Sequence, residues 1–291
     1  MSVWAVIPVF NRKAETLACL ERLKALSAEA PGLRVVIADD GSSDGMADAV
    51  RASFPETVIV TGKGDWWWTG GMRAGVAEAL RQGATAILSL NDDTLIQAGG
   101  LARLLALAER EPRSLVSAQG QHPDGELIES GYRWAGWKGW TSEHRLPEWK
   151  APQEPYASSA VAGACVLIPA AAFNEVGSYA TALPHYHADL EFCVRCGRAG
   201  FKVLVEPRAK LVIQKNVKNA DLLSGKISWQ RLRWMFRYPS GAYSPRIVFA
   251  FYTRTHPWGC FAGALFAAFV LAKSLIQLAL NAVGLGRSLR A

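Results

Sequence analysis

Residues 33–45 read LRVVIADDGSSDG, and this stretch decides how the chain folds. Val35, Val36, Ile37 and Ala38 form a continuous apolar run of strand length. Asp39 and Asp40 then stop it, and a Gly-Ser-Ser-Asp-Gly turn leads the chain away. Short β-branched runs recur at 3–9, 57–61, 85–90, 161–168, 202–205 and 210–213, and each reads as a buried strand. Between the early strands lie helical stretches: 13–28 with Leu17, Leu20, Leu23 and Leu26 on one face, then 71–81, then 97–110. This alternation predicts an α/β fold, a Rossmann-like, mostly parallel sheet with helices on both faces.

In such sheets ligands bind beyond the carboxyl ends of the strands, so the residues just after each strand carry the functional reading. Here they are PVFNR, DDGSSDG, GKGDWWWTGG and NDDT. No GxGxxG follows the first strand, which removes the main support for a dinucleotide-dependent dehydrogenase. Asp39 or Asp40 can accept hydrogen bonds from a base or a ribose hydroxyl, and Asp40 or Ser42 can equally cap a following helix; the residues alone leave both open. Asp92 and Asp93 are adjacent acids at a strand end, which repel unless a cation compensates; a hard divalent ion such as Mg²⁺ or Mn²⁺ suits them. In HYHADLEFCVRCGRAG a helix starting near Ala188 puts Asp189 in its first turn, facing the cleft, and makes Glu191 and Arg195 an i,i+4 ion pair.

The 291 residues carry a formal net charge of +7, half of them are hydrophobic, and the mean hydropathy is +0.08. The charge favours an anionic partner. Acidic strand ends would repel the phosphates of a nucleic acid, so no nucleic acid is expected. Five cysteines form no paired framework, which points to a reducing compartment. Cys193 and Cys196 make a CxxC without a second ligand pair and share a helical face with core residues, which favours packing over zinc. The N-terminus has neither a basic leader nor a small-residue cleavage site, so the catalytic part is expected in the cytoplasm.

Trp66, Trp67 and Trp68 stand against Gly70 and Gly71, large flat rings beside a backbone that can be approached closely. That arrangement suits a pocket wall or a filled core. Residues 119–156, with Trp134, Trp137, Trp140 and Trp149, read as a long irregular insert, either a binding lid or a tryptophan-pinned surface loop. The composition changes near 227. Residues 1–226 form the catalytic domain, and 227–291 form a tail in which Arg231, Arg233, Arg237 and Arg246 mix with Trp234, Phe236 and Tyr238 before fifteen apolar residues at 258–272. Fifteen is short of a bilayer span, with Lys273 and Gln277 interrupting any extension, so the tail is expected either to lie in an anionic membrane interface or to pack on the domain or in an oligomer.

The segments VIPVFNR, VVIADDGSSDG, GDWWWTGGMRAGVAEAL, ILSLNDDT, AGACVLIPAAAFNEVG and HADLEFCVR, in this order across residues 1 to about 215, resemble a family 2 glycosyltransferase of the GT-A fold. WWWTGGM followed by LNDDT is similar in particular to the bacterial rhamnosyltransferase and galactofuranosyltransferase branch, which builds surface polysaccharide on lipid-linked acceptors. The resemblance implies an inverting transfer from a nucleotide-diphosphate sugar, dTDP- or UDP-linked, with a divalent metal, at the inner membrane face. It places Pro8, Asn11, Asp39, Asp40, Trp68, Gly70, Gly71, Arg73 and Asp92 around the nucleotide sugar and makes Asp93, with Asp92, the metal ligand. By the same resemblance Gly163, Ala164, Cys165, His187 and Glu191 would line the acceptor and Asp189 would be the base. Two positions depart from the family's pattern. Ala188 stands where an acid often precedes the base, and Gln214 stands near the usual metal-binding histidine, so His185 and His187 become candidate replacement ligands. A catalytically silent GT-A binding subunit is the alternative, and a sugar-nucleotide nucleotidyltransferase is a further one, although PVFNRK lacks the glycines its loop would need.

Overall fold

A computed structural model describes residues 1–134, 140–213 and 244–282. Gln214, the 226/227 boundary and the basic aromatic run from Arg231 to Tyr238 lie outside the described residues. Strand β1 (Val3–Val9) is buried along almost its whole length and pairs in parallel with β2 (Arg34–Asp39) on one side and β4 (Ala86–Leu90) on the other. β3 (Val58–Thr61) extends the parallel half beyond β2. The chain winds outward from β1 to β3 and returns to the far side of β1 as β4, so the strand order β3-β2-β1-β4 reverses between β1 and β4. The crevice at that reversal, outside the carboxyl ends, is where such a sheet binds ligands.

The period of two along each strand divides the interior into two cores. Ala5, Ile7 and Leu88 face one, with Leu20 and Leu23 of α1 (Lys13–Ala25), Val50 of α2 (Met46–Ser53) and Leu104 of α4 (Gly100–Arg110). Trp4, Val6 and Ile87 face the other, with Met72 and Val76 of α3 (Trp67–Arg81), Phe173 of α5 (Ala170–Val176) and Phe192 of α6 (Ala188–Arg198). Helices on both faces match the expectation. Each fully buried aliphatic side chain contributes about 1.5–3 kcal/mol, so the two cores account for most of the driving force.

Beyond β4 the sheet continues with antiparallel β11 (Cys165–Pro169), then β6 (Ser114–Gln121), then β12 (Lys202–Ile213) parallel to β6. Short strands β5 (Thr94–Ile96), β7 (Leu127–Glu129) and β10 (Tyr156–Ala157) complete ten. Several elements differ from the sequence reading. β6 is buried but was not foreseen, because SLVSAQGQ lacks a β-branched run. The runs at 202–205 and 210–213 are one strand, irregular between Glu206 and Lys210. Within the insert, β7 joins the main sheet, and β8 (Tyr132–Trp134) pairs with β9 (Trp140–Ser142) as a separate ribbon.

The tail holds two helices, α7 (Pro245–Thr255) and α8 (Gly259–Ala282). Ile247 and Phe251 of α7 enter the second core, and Arg198 at the end of α6 donates to the carbonyls of Arg254 and Thr255 at 2.7 and 3.0 Å. α8 runs on through Lys273, and its 24 residues span about 36 Å, longer than the fifteen-residue reading allowed. Among the described residues it is the one helix long and apolar enough to cross a membrane.

Candidate active site

The loops after β1 and β2 are laced together at the crevice. Asn11 takes a left-handed φ of 52°, which lets its amide donate to Ser42 Oγ at 2.9 Å while its Oδ1 accepts from the Ser43 amide at 2.8 Å. Asp39 Oδ1 accepts from the Ser42 amide at 2.8 Å. Asp40 receives the amide of Gly64 on Oδ1 at 2.9 Å and those of Trp66 and Trp67 on Oδ2 at 2.9 and 3.1 Å. It therefore satisfies the unpaired donors at the start of α3. These bonds are a cap such as the sequence allowed for Asp40, and they act on α3 rather than on the helix that follows directly. Both acids are buried in these loops.

The three tryptophans separate. Trp66 lies over Gly62 and Gly70, where a Cβ would come within 2.6 and 2.8 Å of it. Trp67 is exposed, with a left-handed φ of 52°, and meets His185 edge-on at 6.1 Å. Trp68 is half-buried between Tyr179, at 5.2 Å, and Gly163, where a Cβ would fall 2.6 Å from its ring. Its Nε1 donates to Asn91 Oδ1 at 2.9 Å. The glycines expected at the nucleotide sugar have packing reasons. Gly71 brings α3 down onto Pro8, with an added Cβ 3.0 Å from the Pro8 Cβ. Arg73 crosses to the carbonyl of Tyr179 at 2.7 Å.

At the end of β4, Asp92 and Asp93 meet a cation that the sequence reading did not single out. Arg12 Nε lies 2.7 Å from Asp92 Oδ2, and its Nη2 lies 3.3 Å from Asp93 Oδ2. Burial pushes the Asp92 carboxyl up to about 7; Arg12 opposes this and the neighbouring Asp93 charge adds to it. The one signal in sequence was charge complementarity, an arginine closing VIPVFNR against two acids closing LSLNDD.

Asp189 stands across the crevice in the first turn of α6, as expected. Its Oδ2 accepts the Gly163 amide at 2.7 Å and its Oδ1 the Leu190 amide at 2.8 Å. Leu115, Val161, Phe192 and Cys193 surround a small hollow beside it. Burial raises its pKa, opposed by those two amides and by His187. Glu129 on β7 was also missed. Burial pushes it up to about 8, and the charges of Asp189 and Asp93 add to the shift, so the crevice has a further acid on its insert side.

The expected acceptor set is only partly at the surface. Gly163 reaches the site through its backbone, while Ala164 and Cys165 are buried in the first core and burial pushes the Cys165 thiol up to about 12. Glu191 is 2 % exposed and bonds Arg195 Nε at 2.8 and 3.0 Å, and Arg195 in turn holds the carbonyls of Val176 and Ser178. Glu191 is thus an internal brace, since a buried carboxylate requires its partner. His187, with a left-handed φ of 69°, stacks on Phe251 of α7 at 4.7 Å. His185 packs against Trp67 and Tyr186. Neither histidine completes a metal cluster with the acids, and no group of three or more His, Cys, Asp or Glu that could hold an ion occurs among the described residues. Two adjacent carboxylates nevertheless fit Mg²⁺ or Mn²⁺, which take one or two such oxygens and leave their other positions to water and phosphate. Cys193 and Cys196 are buried free thiols, as the packing reading expected.

The family model "Glycosyl transferase family 2" matches residues 4–176, which hold β1 to β4, Trp68, Asp92, Asp93 and Gly163. The chain belongs to this glycosyltransferase family. Asp189 and the tail lie past the matched segment. A relative in Mycobacterium tuberculosis, N-acetylglucosaminyl-diphospho-decaprenol L-rhamnosyltransferase, is 24% identical over 223 residues, covering 67% of this chain and 72% of the relative. Among solved structures, GalNAc-T7 with UDP, GalNAc and Mn²⁺ superposes with a TM-score of 0.59 at 16% identity, over 94% of this chain; the chain spans 57% of that structure. The mannosyltransferase of Pyrobaculum calidifontis in complex with GDP-Man and Mn²⁺ gives 0.56 at 18% identity, over 97% of this chain and 79% of the other. These two glycosyltransferases share the GT-A fold with this chain.

Proposed function

We propose that the protein is an inverting glycosyltransferase that moves a sugar from a dTDP- or UDP-linked donor to a hydroxyl of a glycan or lipid-linked saccharide in surface polysaccharide synthesis, at the inner face of the cell membrane. The observation that carries this is the short path between the two acidic edges of the crevice. Trp68 bonds Asn91 beside Asp92 and Asp93 on one side and lies on Gly163, whose amide holds Asp189, on the other. A donor with its diphosphate at Asp93 then presents its sugar to the Trp68 indole and its anomeric carbon towards Asp189.

Asp189 accepts the proton of the acceptor hydroxyl as that oxygen attacks; each of its oxygens keeps a lone pair beyond the amide it already receives, and its raised pKa makes it a stronger base. Attack from the face opposite the diphosphate inverts the anomeric configuration. A divalent ion at Asp93, assisted by Asp92, would offset the charge gathering on the departing diphosphate. Asp40, with Asp39 close by, borders the nucleoside together with Pro8 and Asn11, and Asn11 pins their loop through Ser42 and Ser43. Trp67 and Trp68 help exclude the water that would hydrolyse the donor. The relative's decaprenol-linked substrate and the exposed apolar face of α8 support a lipid-linked acceptor presented at a membrane. Calorimetry with UDP, dTDP and GDP, with and without Mn²⁺, tests the donor site: one nucleotide should bind with metal and fail in Asp93→Asn. Binding of none of them to folded protein would favour a silent GT-A subunit.

A further inference from the structure

The cation facing Asp92 and Asp93 is built into the fold. Asn11 and Lys13 pin the loop after β1 to the loop after β2 through Ser42, Ser43 and Asp44, and the Arg12 carbonyl accepts from both the amide and the hydroxyl of Thr16. With its backbone fixed on both sides, Arg12 reaches across the switch point and gives one arm of its guanidinium to each acid, at 2.7 and 3.3 Å. The Arg12 side chain is 26% exposed, against 9% for Asp92 and 19% for Asp93, so it is more open to solvent than either acid. Arginine cannot shed its proton. A dication approaching the acids therefore meets a permanent positive charge on the same oxygens. Metal plus guanidinium outweighs the two carboxylates unless further negative charge arrives with them.

We propose that Arg12 is a resident counter-ion that keeps the divalent metal off Asp92 and Asp93 until a nucleoside diphosphate arrives, whereupon the guanidinium transfers to the diphosphate. Metal and nucleotide then bind together or hardly at all. A guanidinium exchanging a carboxylate pair for a phosphate keeps charge-assisted hydrogen bonds throughout, so the exchange has a low cost. Glu15 Oε1, 3.9 Å from Nη2, supports the guanidinium on the way. This rests on the donor-site reading above.

The test reads binding and needs no turnover. Free Mn²⁺ is followed by electron paramagnetic resonance as it is titrated with the protein without nucleotide, in wild type, Arg12→Gln and Arg12→Lys; nucleotide affinity is then measured with and without Mn²⁺. Arg12→Gln should bind Mn²⁺ alone tighter than wild type by about tenfold or more, within the usual range of coupling between sites. The gain in UDP or dTDP affinity that Mn²⁺ confers should shrink by the same factor, because the coupling is reciprocal. Arg12→Lys, which keeps the charge but cannot span both acids, should fall between the two, and it decides the matter if Arg12→Gln does not fold. Unchanged Mn²⁺ affinity in the variants overturns the proposal and leaves the donor site standing. Tighter Mn²⁺ binding in a protein that takes no nucleotide supports the counter-ion assignment and removes the donor reading instead.

Discussion

Gly163 joins the two halves of the site: its amide holds Asp189, its carbonyl accepts from Ser89 Oγ at 2.7 Å, and the Trp68 ring lies where its side chain would be. Gly163→Ala would place a Cβ 2.6 Å from Trp68 and 3.3 Å from the Cβ of Asp189. Trp68 must then move, at a cost of about 1–3 kcal/mol for overpacking. We expect a lower melting temperature and a fall in kcat larger than the change in nucleotide affinity; an unchanged kcat would remove Trp68 from the site. At this scale the acids were legible and their partners were not. Asp92, Asp93 and Asp189 stand where strand ends and a helix start can be read directly from the chain. Arg12 lies 80 positions from Asp92, and Glu129 reaches the crevice only through β7, so neither has a local signal. The Glu191–Arg195 pair was legible from its i,i+4 spacing, whereas the packing of Gly70 on Trp66 and of Gly71 on Pro8 has no local signal.

Among the elements, those with a clear period were found and those with mixed composition were not. β1, β2 and β4 are dominated by apolar runs, whereas β6 is just as buried but carries Ser114, Ser117 and Gln119, whose burial is tolerated through hydrogen bonds with Glu111, Cys165 and Lys210. α3 begins at Trp67 rather than at Gly71 because Asp40, from another loop, satisfies the first amides. β7 leaves a pH signature through Glu129. Its folded pKa, about 8, lies above the ordinary 4.5, so its contribution to stability is fully present below 4.5 and is lost as pH rises through 8. Glu129→Gln should therefore gain stability relative to wild type as pH rises from 4.5 to about 8 and level off beyond, measured by urea unfolding across that range. A difference that stays constant with pH would show that Glu129 is not buried beside the other acids.

Across the whole molecule, α7 and α8 add an apolar surface to the sheet and its helices. α7 packs into the second core, and its Phe251 stacks on His187, two residues before Asp189. Trp134 of the insert meets Tyr252 of α7 at 5.9 Å and Phe266 of α8 at 5.7 Å. Beyond these contacts α8 exposes Phe261, Leu265 and Phe269 along one face, each more than half exposed. The sequence offered a segment lying in a membrane interface or one packed on the domain or in an oligomer; α7 packs on the domain, and α8 leaves an apolar face exposed. Replacing Phe261, Leu265 and Phe269 together by Asp should release the protein from anionic vesicles in a flotation assay, with nucleotide binding intact. Equal flotation of the variant and the wild type would place the membrane contact elsewhere.

In the proposed reaction one edge of the crevice holds the donor while Asp189 moves the proton. The most direct test is Asp189→Asn, assayed for nucleotide binding and for sugar transfer against pH. The variant should keep wild-type nucleotide affinity with kcat reduced by about 10²–10⁴. The wild type should show an acid limb of kcat/KM above the ordinary carboxylate value of 3.8 that the variant lacks. An Asp189→Asn protein that transfers sugar at the wild-type rate, with the same acid limb, would contradict the proposed reaction.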